Sequence, residues 1–423
     1  MTALASQHGA LLLGGAHNSL EIARSLGRRG IPVWLITSDN PLASLSRYVA
    51  QHLTWPGPEW SGAVTYLADL AERHQLKGWV LFPGGDAEVQ FVAQNHKTLG
   101  AVFTLITPTW DVARWAIDKR AMNARAAELG LALPTSRYPR SRDDLGNLGM
   151  RFPVVVKPTI HAGRNAFTNA KAWRADDVRA LIARYDKAEA LVGTDRIMVQ
   201  ELIPGDGRAQ FSYAGVWDRG APFGSLVARR RRQYPVDFGF TSTFVETVAQ
   251  KSVEEAANRF LKSLDYSGLV EIEFKYDARD RAYKILDVNA RSWTWIALGA
   301  AAGVDFSLMQ WQRAIGELAV GAPAAAPAAR VGVTWRYLSR DLVASMAEIF
   351  AGTLSPIACL RSLRAAAAAA VLAWDDPLPA VLEPPLVAAR VLKRRFAHSG
   401  HDPALTPPSA AVTGPGTDRG RAA

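Results

Sequence analysis

Cysteine is all but absent. The single thiol, Cys359, leaves no internal disulfide and no multi-cysteine zinc site to consider, and it fits a reducing compartment. Histidine is scarce as well. Among the eight, no two stand at the H-x-x-x-H spacing of a helical metal pair, and no Gly-x-Ser-x-Gly elbow occurs. Long apolar runs are missing too. The Ala-rich stretch Ala365–Trp374 is closed off by Arg364 and Asp375, too short to cross a bilayer, and reads as a packing segment. The apolar run Ala10–Leu13 has no basic side chain before it, the first being Arg24, so it does not read as a secretory leader. The expectation is a cytoplasmic protein.

What is present is ordinary in bulk. Hydrophobic residues make up 49% and charged residues 21%, which suits packed cores and excludes wholesale disorder or a collagen-like repeat. At 423 residues the chain exceeds one compact core and implies two or three domains. Lys and Arg number 49 against 39 Asp and Glu, and this surplus of +10 suits nucleic acid, a membrane surface or acidic small molecules. Charge alone does not choose among them.

The first hundred residues alternate short apolar runs with amphipathic stretches. Ala10–Leu13, Ile31–Ile36, Trp79–Phe82 and Val102–Ile106 read as buried strands, and Leu20, Ile22, Ala23 and Leu26 fall at helical spacing before Gly30. Strand, helix, strand at this spacing implies a parallel sheet, whose ligands sit at the carboxyl ends of the strands. Those ends are Gly14-Gly15 and Gly84-Gly85-Asp86. The first loop does not make G-x-G-x-x-G, so a tight turn is the better reading than a dinucleotide site. From about residue 115 the texture changes. A helix is expected over Val112–Leu129, then strands at Val154–Lys157, Ile197–Glu201, Gln210–Trp217, Leu269–Tyr276 and Tyr283–Val288. Gly321–Ala329 is a small-residue linker. Amphipathic helices are expected from Leu338 to Arg395, and a loose tail over His398–Ala423.

The chemistry concentrates in two neighbouring segments. Side chains alternate on a strand, so Glu271 and Glu273 share one face, as do Asp287, Asn289 and Arg291. Carboxylate and amide oxygens gathered in this way suit Mg²⁺, with Mn²⁺ as the alternative, and a solvated outer sheet face is the plainer reading. Lys157 ends the apolar run Pro153-Val-Val-Val-Lys, and Lys119 sits in Trp115-Ala-Ile-Asp-Lys; both suit phosphate oxygens. Gln200-Glu201-Leu-Ile203-Pro-Gly205 is a strand breaking into a turn, where exposed main-chain groups can bind an adenine edge. In the run Arg229–Arg232, alternation sets Arg229 and Arg231 against Arg230 and Arg232. A solvated basic patch and an acidic-substrate site both fit it. Nucleic acid fits less well, for the run lacks interleaved aromatics. Trp293 and Trp295 read as core or as a substrate wall.

Taken in order, Asp-Lys119, Val-Val-Lys157-Pro, Gln-Glu201-x-Ile203-Pro-Gly, Glu271-x-Glu273-Phe and Asp287-x-Asn289-x-Arg291 resemble the ATP-grasp superfamily. Within it they are similar to carboxylate–amine ligases of the D-aspartate ligase type, over roughly residues 8 to 320. The resemblance implies an α/β fold: a Rossmann-like pre-ATP-grasp domain over 1–114 and an ATP-grasp α+β body over 115–320. A helical C-terminal extension (321–397) and a disordered tail (398–423) would follow. It implies ATP phosphates at Lys119 and Lys157, adenine at the main chain of Glu201 and Ile203, and Mg²⁺ at Glu273, Asp287 and Asn289. Arg291, with Arg229 or Arg231, would polarise the reacting group. Two departures stand out. The metal motif is usually Glu-x-Asn, and Asp287 is one methylene shorter. The phosphate-covering loop Thr159–Asn165 has a single glycine, leaving closure to Arg164 or to other side chains. The implied reaction is ATP-dependent joining of a small carboxylate to an amine through an acyl phosphate. A kinase that stops at phosphoryl transfer and a non-catalytic nucleotide-binding scaffold are the alternatives. The oligomeric state is open, a homodimer being compatible.

Overall fold

The four residues Ala10–Leu13 are wholly buried, and the first layer of the fold grows outward from them. In the computed structural model, residues 8–38, 40–160, 165–170, 172–235, 241–318, 328–364 and 366–398 are described. Three expected features lie largely or wholly outside them: the phosphate-covering loop (161–164), most of the linker (319–327) and the tail (399–423). The chain divides into one compact unit, Met1–Val381, and a second, Leu382–Ala423. Of the second, the described part is the continuation of the helix Leu378–His398.

Five parallel strands form the first sheet: β1 (Ala10–Leu13), β2 (Val33–Thr37), β3 (Gln51–Thr54), β4 (Val80–Pro83) and β5 (Thr104–Leu105). Their spatial order is β3-β2-β1-β4-β5, so the winding reverses between β1 and β4. Loops from both strands meet at that reversal. Gly14 takes φ +98° there, and a Cβ on Gly15 would collide with the Asn40 carbonyl, so glycine is required at both. Asn18, in the helix His17–Gly27, donates to the Gly84 carbonyl (2.8 Å) and to Ser292 Oγ (2.7 Å). It thereby ties this crevice to the far end of the metal-motif strand.

The second sheet is small and antiparallel: β6 (Ser136–Arg137), β7 (Val154–Pro158), β8 (Trp173–Ala175) and β9 (Ile197–Glu201), in the order β6-β9-β7-β8. The third has seven strands: β10 (Gln210–Asp218), β11 (Ala221–Tyr234), β12 (Thr241–Val248), β13 (Gly268–Asp277), β14 (Ala282–Asn289), β15 (Thr334–Arg336) and β16 (Ala368–Ala369). Its order is β14-β13-β10-β11-β12-β15-β16. A core of Phe211, Tyr213, Trp217, Phe260, Ile272 and Ile285 packs the helix Lys251–Lys262 on one face.

Two local expectations change. The helix expected over Val112–Leu129 is two helices, Trp110–Ile117 and Lys119–Glu128. Asp118 breaks it in extended conformation and caps the second, its carboxylate accepting from the N–H groups of Arg120 and Ala121. Beyond residue 321 the chain is not helical throughout. β15 extends the large sheet beside β12, and β16 pairs with β15.

Buried ion pairs fasten this late segment. Asp341, with no exposed surface, takes two hydrogen bonds from Arg232 (2.8 and 2.7 Å) and one from Thr243. Asp376 accepts from Arg24 Nε (2.9 Å), Ser46 Oγ (2.7 Å) and the Arg47 N–H (2.9 Å). Removing one partner of such a pair strands the other charge in a dry interior. Asp376→Ala is therefore expected to lower unfolding stability by about 3 kcal/mol. Urea denaturation checks this.

Candidate active site

A cavity of about 400 Å³ opens between the small sheet and the large one. Val155 and Leu286 give it apolar walls, and Lys157, Glu201 and Ile203 line it together. Lys157 donates to Gln200 Oε1 (2.9 Å), and Gln200 Nε2 in turn donates to Ser136 Oγ (3.1 Å). The ammonium is thus held against β9 by a neighbour fixed in its own hydrogen bond. At the break after β9, the N–H of Glu201 is engaged by the Thr135 carbonyl (2.8 Å), and its carboxylate pairs with Arg279 (2.8 Å). The Ile203 carbonyl accepts from Lys275 (2.8 Å), which also donates to the Gly205 carbonyl (2.7 Å).

Lys275 was not among the expected site residues. It is buried and lines the same cavity, and burial holds its pKa below the usual lysine value. Strand parity puts it on the face of Glu271 and Glu273. That alternation was readable, but its reach to the hinge was not.

The second group forms on β13 and β14. Their antiparallel register sets Glu273 opposite Asp287 and Glu271 opposite Asn289. Lys119 reaches Asp287 Oδ1 at 2.6 Å, placed by its position at the head of the second helix, where its N–H also donates to the Thr159 carbonyl. Asn289 Nδ2 donates to Glu271 Oε2 (3.2 Å), and its Oδ1 accepts from Arg291 (3.2 Å). Burial, and then the charge of Glu273, push the Glu271 carboxyl up to about 7. Arg291 also grips Asp86 through two hydrogen bonds (2.6 and 3.3 Å). Asp86 begins the helix after the Gly84-Gly85 loop, so the parallel domain reaches this site directly.

The arginine run divides differently from expectation. Arg230 Nη2 lies 3.8 Å from Glu273, whereas Arg229 donates to the Arg208 carbonyl and lies over the Phe211 ring. Arg231 pairs with Glu246 (Nε–Oε2 2.6 Å). Arg229 and Arg231 are therefore not brought to the group on β13 and β14, and Arg230 takes that place. The reason is parity: through β10, the register puts Ala228 and Arg230 on the face of Glu273 and turns Arg229 away. A cavity of about 80 Å³ is lined by Arg230, Ser242, Glu273, Asn289, Arg291, Trp293 and Trp295. The indole N–H of Trp293 is buried without a hydrogen-bond partner.

Glu273, Asp287 and Asn289 supply hard oxygen ligands of the kind Mg²⁺ takes. Among the described residues no three acidic or histidine side chains form a closed metal cage.

No family model matches the sequence, and no curated protein matches it. Solved structures do match. The L-amino acid ligase from Bacillus licheniformis superposes with a TM-score of 0.57 at 16% identity, covering 73% of this chain and 74% of its own. The biotin carboxylase domain of the Hydrogenobacter thermophilus 2-oxoglutarate carboxylase, solved with MgADP and bicarbonate, gives 0.59 at 14%, over 77% and 73%. An N5-carboxyaminoimidazole ribonucleotide synthetase solved with ADP gives 0.57 at 13%, over 78% and 80%. A parallel crevice, a small sheet facing a large one, and this shared superposition show that the chain has the ATP-grasp fold.

Proposed function

We propose that the protein is an ATP- and Mg²⁺-dependent ligase that joins a carboxylate to an amine through an acyl phosphate. The observation that carries this reading is the pairing of two compartments. One is a cleft with an ammonium, Lys157, at its wall; the other is a small cavity with two arginines and two carboxylates. Kinship of fold with ligases solved with ADP supports it.

In this reading adenine lies against the main chain of Glu201 and Ile203, whose carbonyl Lys275 holds in place. Lys157 and Lys119 offset phosphate charge, which is most of the catalytic task in phosphoryl transfer. Glu273, Asp287 and Asn289 would hold Mg²⁺, which when bound would neutralise further phosphate charge. The substrate acid occupies the smaller cavity, its oxygens facing Arg230 and Arg291. Attack of the carboxylate on the γ-phosphorus releases ADP; attack of the amine on the acyl phosphate then releases phosphate. Amino acids are the first acids and amines to test, given the likeness to an L-amino acid ligase.

ADP release should depend on both an acid and an amine. With hydroxylamine in place of the amine, a hydroxamate should form; its absence alongside acid-dependent ADP release would indicate a kinase. Asp287→Ala and Lys157→Ala are each expected to lower substrate-dependent ADP release by about 100-fold or more. Arg230→Ala should cost a similar factor in kcat/KM for the acid, and Arg229→Ala less than about threefold, since only the first faces the cavity. Lys275→Met should raise the KM for ATP about tenfold with little change in kcat, because the hinge loses an anchor that reacting atoms do not touch.

A further inference from the structure

The helix Leu338–Phe350 is amphipathic the wrong way round for a chain in water. Its acidic side chains face inward: Asp341 is fully buried on Arg232, and Glu348 is buried near Arg208. Its outward face carries Leu338, Leu342, Val343, Met346 and Phe350, the last 85% exposed. The next helix, Pro356–Arg364, adds exposed Ile357 and Leu360. From 338 to 360 no charged side chain is exposed, in a chain where one residue in five is charged. Seven large apolar side chains on these two consecutive helices are 43% exposed or more, the kind of apolar surface that marks an interaction site.

Charge decides what covers it. The segment's own acids are buried, so among the described side chains of the two helices the charges left to solvent are Arg340, half-buried, and Arg361, exposed. A second copy laid on the patch by a two-fold axis would bring arginine toward arginine with no acid of the segment to answer it. An anionic lipid surface answers both features: acyl chains take the leucines and Phe350, and headgroups take the arginines. The sequence beyond continues in the same sense. Arg390, Lys393, Arg394 and Arg395 alternate with Val391, Leu392 and Phe396, the composition of a basic interfacial helix. No described helix is long and apolar enough to cross a membrane, so the contact is with the surface.

We propose that the outward face of Leu338–Phe350, with Ile357 and Leu360, docks the protein on an anionic lipid bilayer. Flotation of the full chain with phosphatidylcholine vesicles containing about a third phosphatidylglycerol tests it, against vesicles of phosphatidylcholine alone. The expected result is flotation with the anionic vesicles that falls about tenfold in the double variant Met346→Glu/Phe350→Glu. Circular dichroism and thermal melting of the double variant should match the unmodified protein, since both side chains already face solvent. Absence of flotation by the unmodified protein would overturn the proposal. So would flotation indifferent to the double variant, which would assign binding to the basic tail alone. A micromolar dimer that the variant dissolves, with no vesicle binding, would show that a second copy covers the patch instead.

Discussion

Glu273 and Asp287 stand directly opposite one another on β13 and β14, and the candidate site is organised around the cost of that pairing. Like charges facing across two strands repel, and Glu271 adds a third carboxylate one pleat away. The cations around them come from separate parts of the chain. Lys119 arrives from the head of a helix, Arg230 from two strands across the sheet, and Arg291 from the end of β14. Asp86 then steadies Arg291 from the parallel domain. A sheet edge carrying this much negative charge is unstable until cations reach it, and the proposed metal–phosphate site would use the same groups. Stability and chemistry draw on one set of groups.

The linear order of these residues was legible because strand alternation is local. Val154–Lys157, Ile197–Glu201, Leu269–Tyr276 and Tyr283–Val288 all read as strands from apolar runs, and the structure extends each by at most one residue at either end. Register between strands is not local. Alternation alone separated Arg229 and Arg231 from Arg230 and Arg232, but which pair met Glu273 depended on how β11 aligned with β10 and β13. Asp118 shows the opposite limit. Its side chain competes with the helix for backbone N–H groups, and only the fold reveals that a break there aims Lys119 at Asp287. Lys275 escaped notice for a third reason: its partners are main-chain carbonyls, which leave no mark in the sequence.

The segment beyond residue 321 follows from where its charges went. Asp341 and Asp376 are spent inside, on Arg232 and Arg24, and these contacts join it to the large sheet and to the first helix of the parallel domain. A helix that turns its acid inward must turn something else outward, and here that is leucine, valine, methionine and phenylalanine. The late strands and the exposed apolar face are therefore two consequences of one choice of helix orientation.

The arginine run shows how far a charge count can mislead. Four consecutive arginines are the densest positive charge in the chain and, on paper, a polyanion site. In the fold each guanidinium meets a different partner: Arg229 the Arg208 carbonyl and the Phe211 ring, Arg230 Glu273, Arg231 Glu246, Arg232 Asp341. Because the strand sends alternate side chains to opposite faces and then bulges near Arg232, the four guanidinium groups do not form one continuous row. Three of the four arginines are matched by carboxylates, so the net charge of +10 is not concentrated where the sequence is most basic. What the run does supply is one buried arginine beside Glu273, and a single guanidinium fixed in a small cavity is suited to a carboxylate rather than to a polymer.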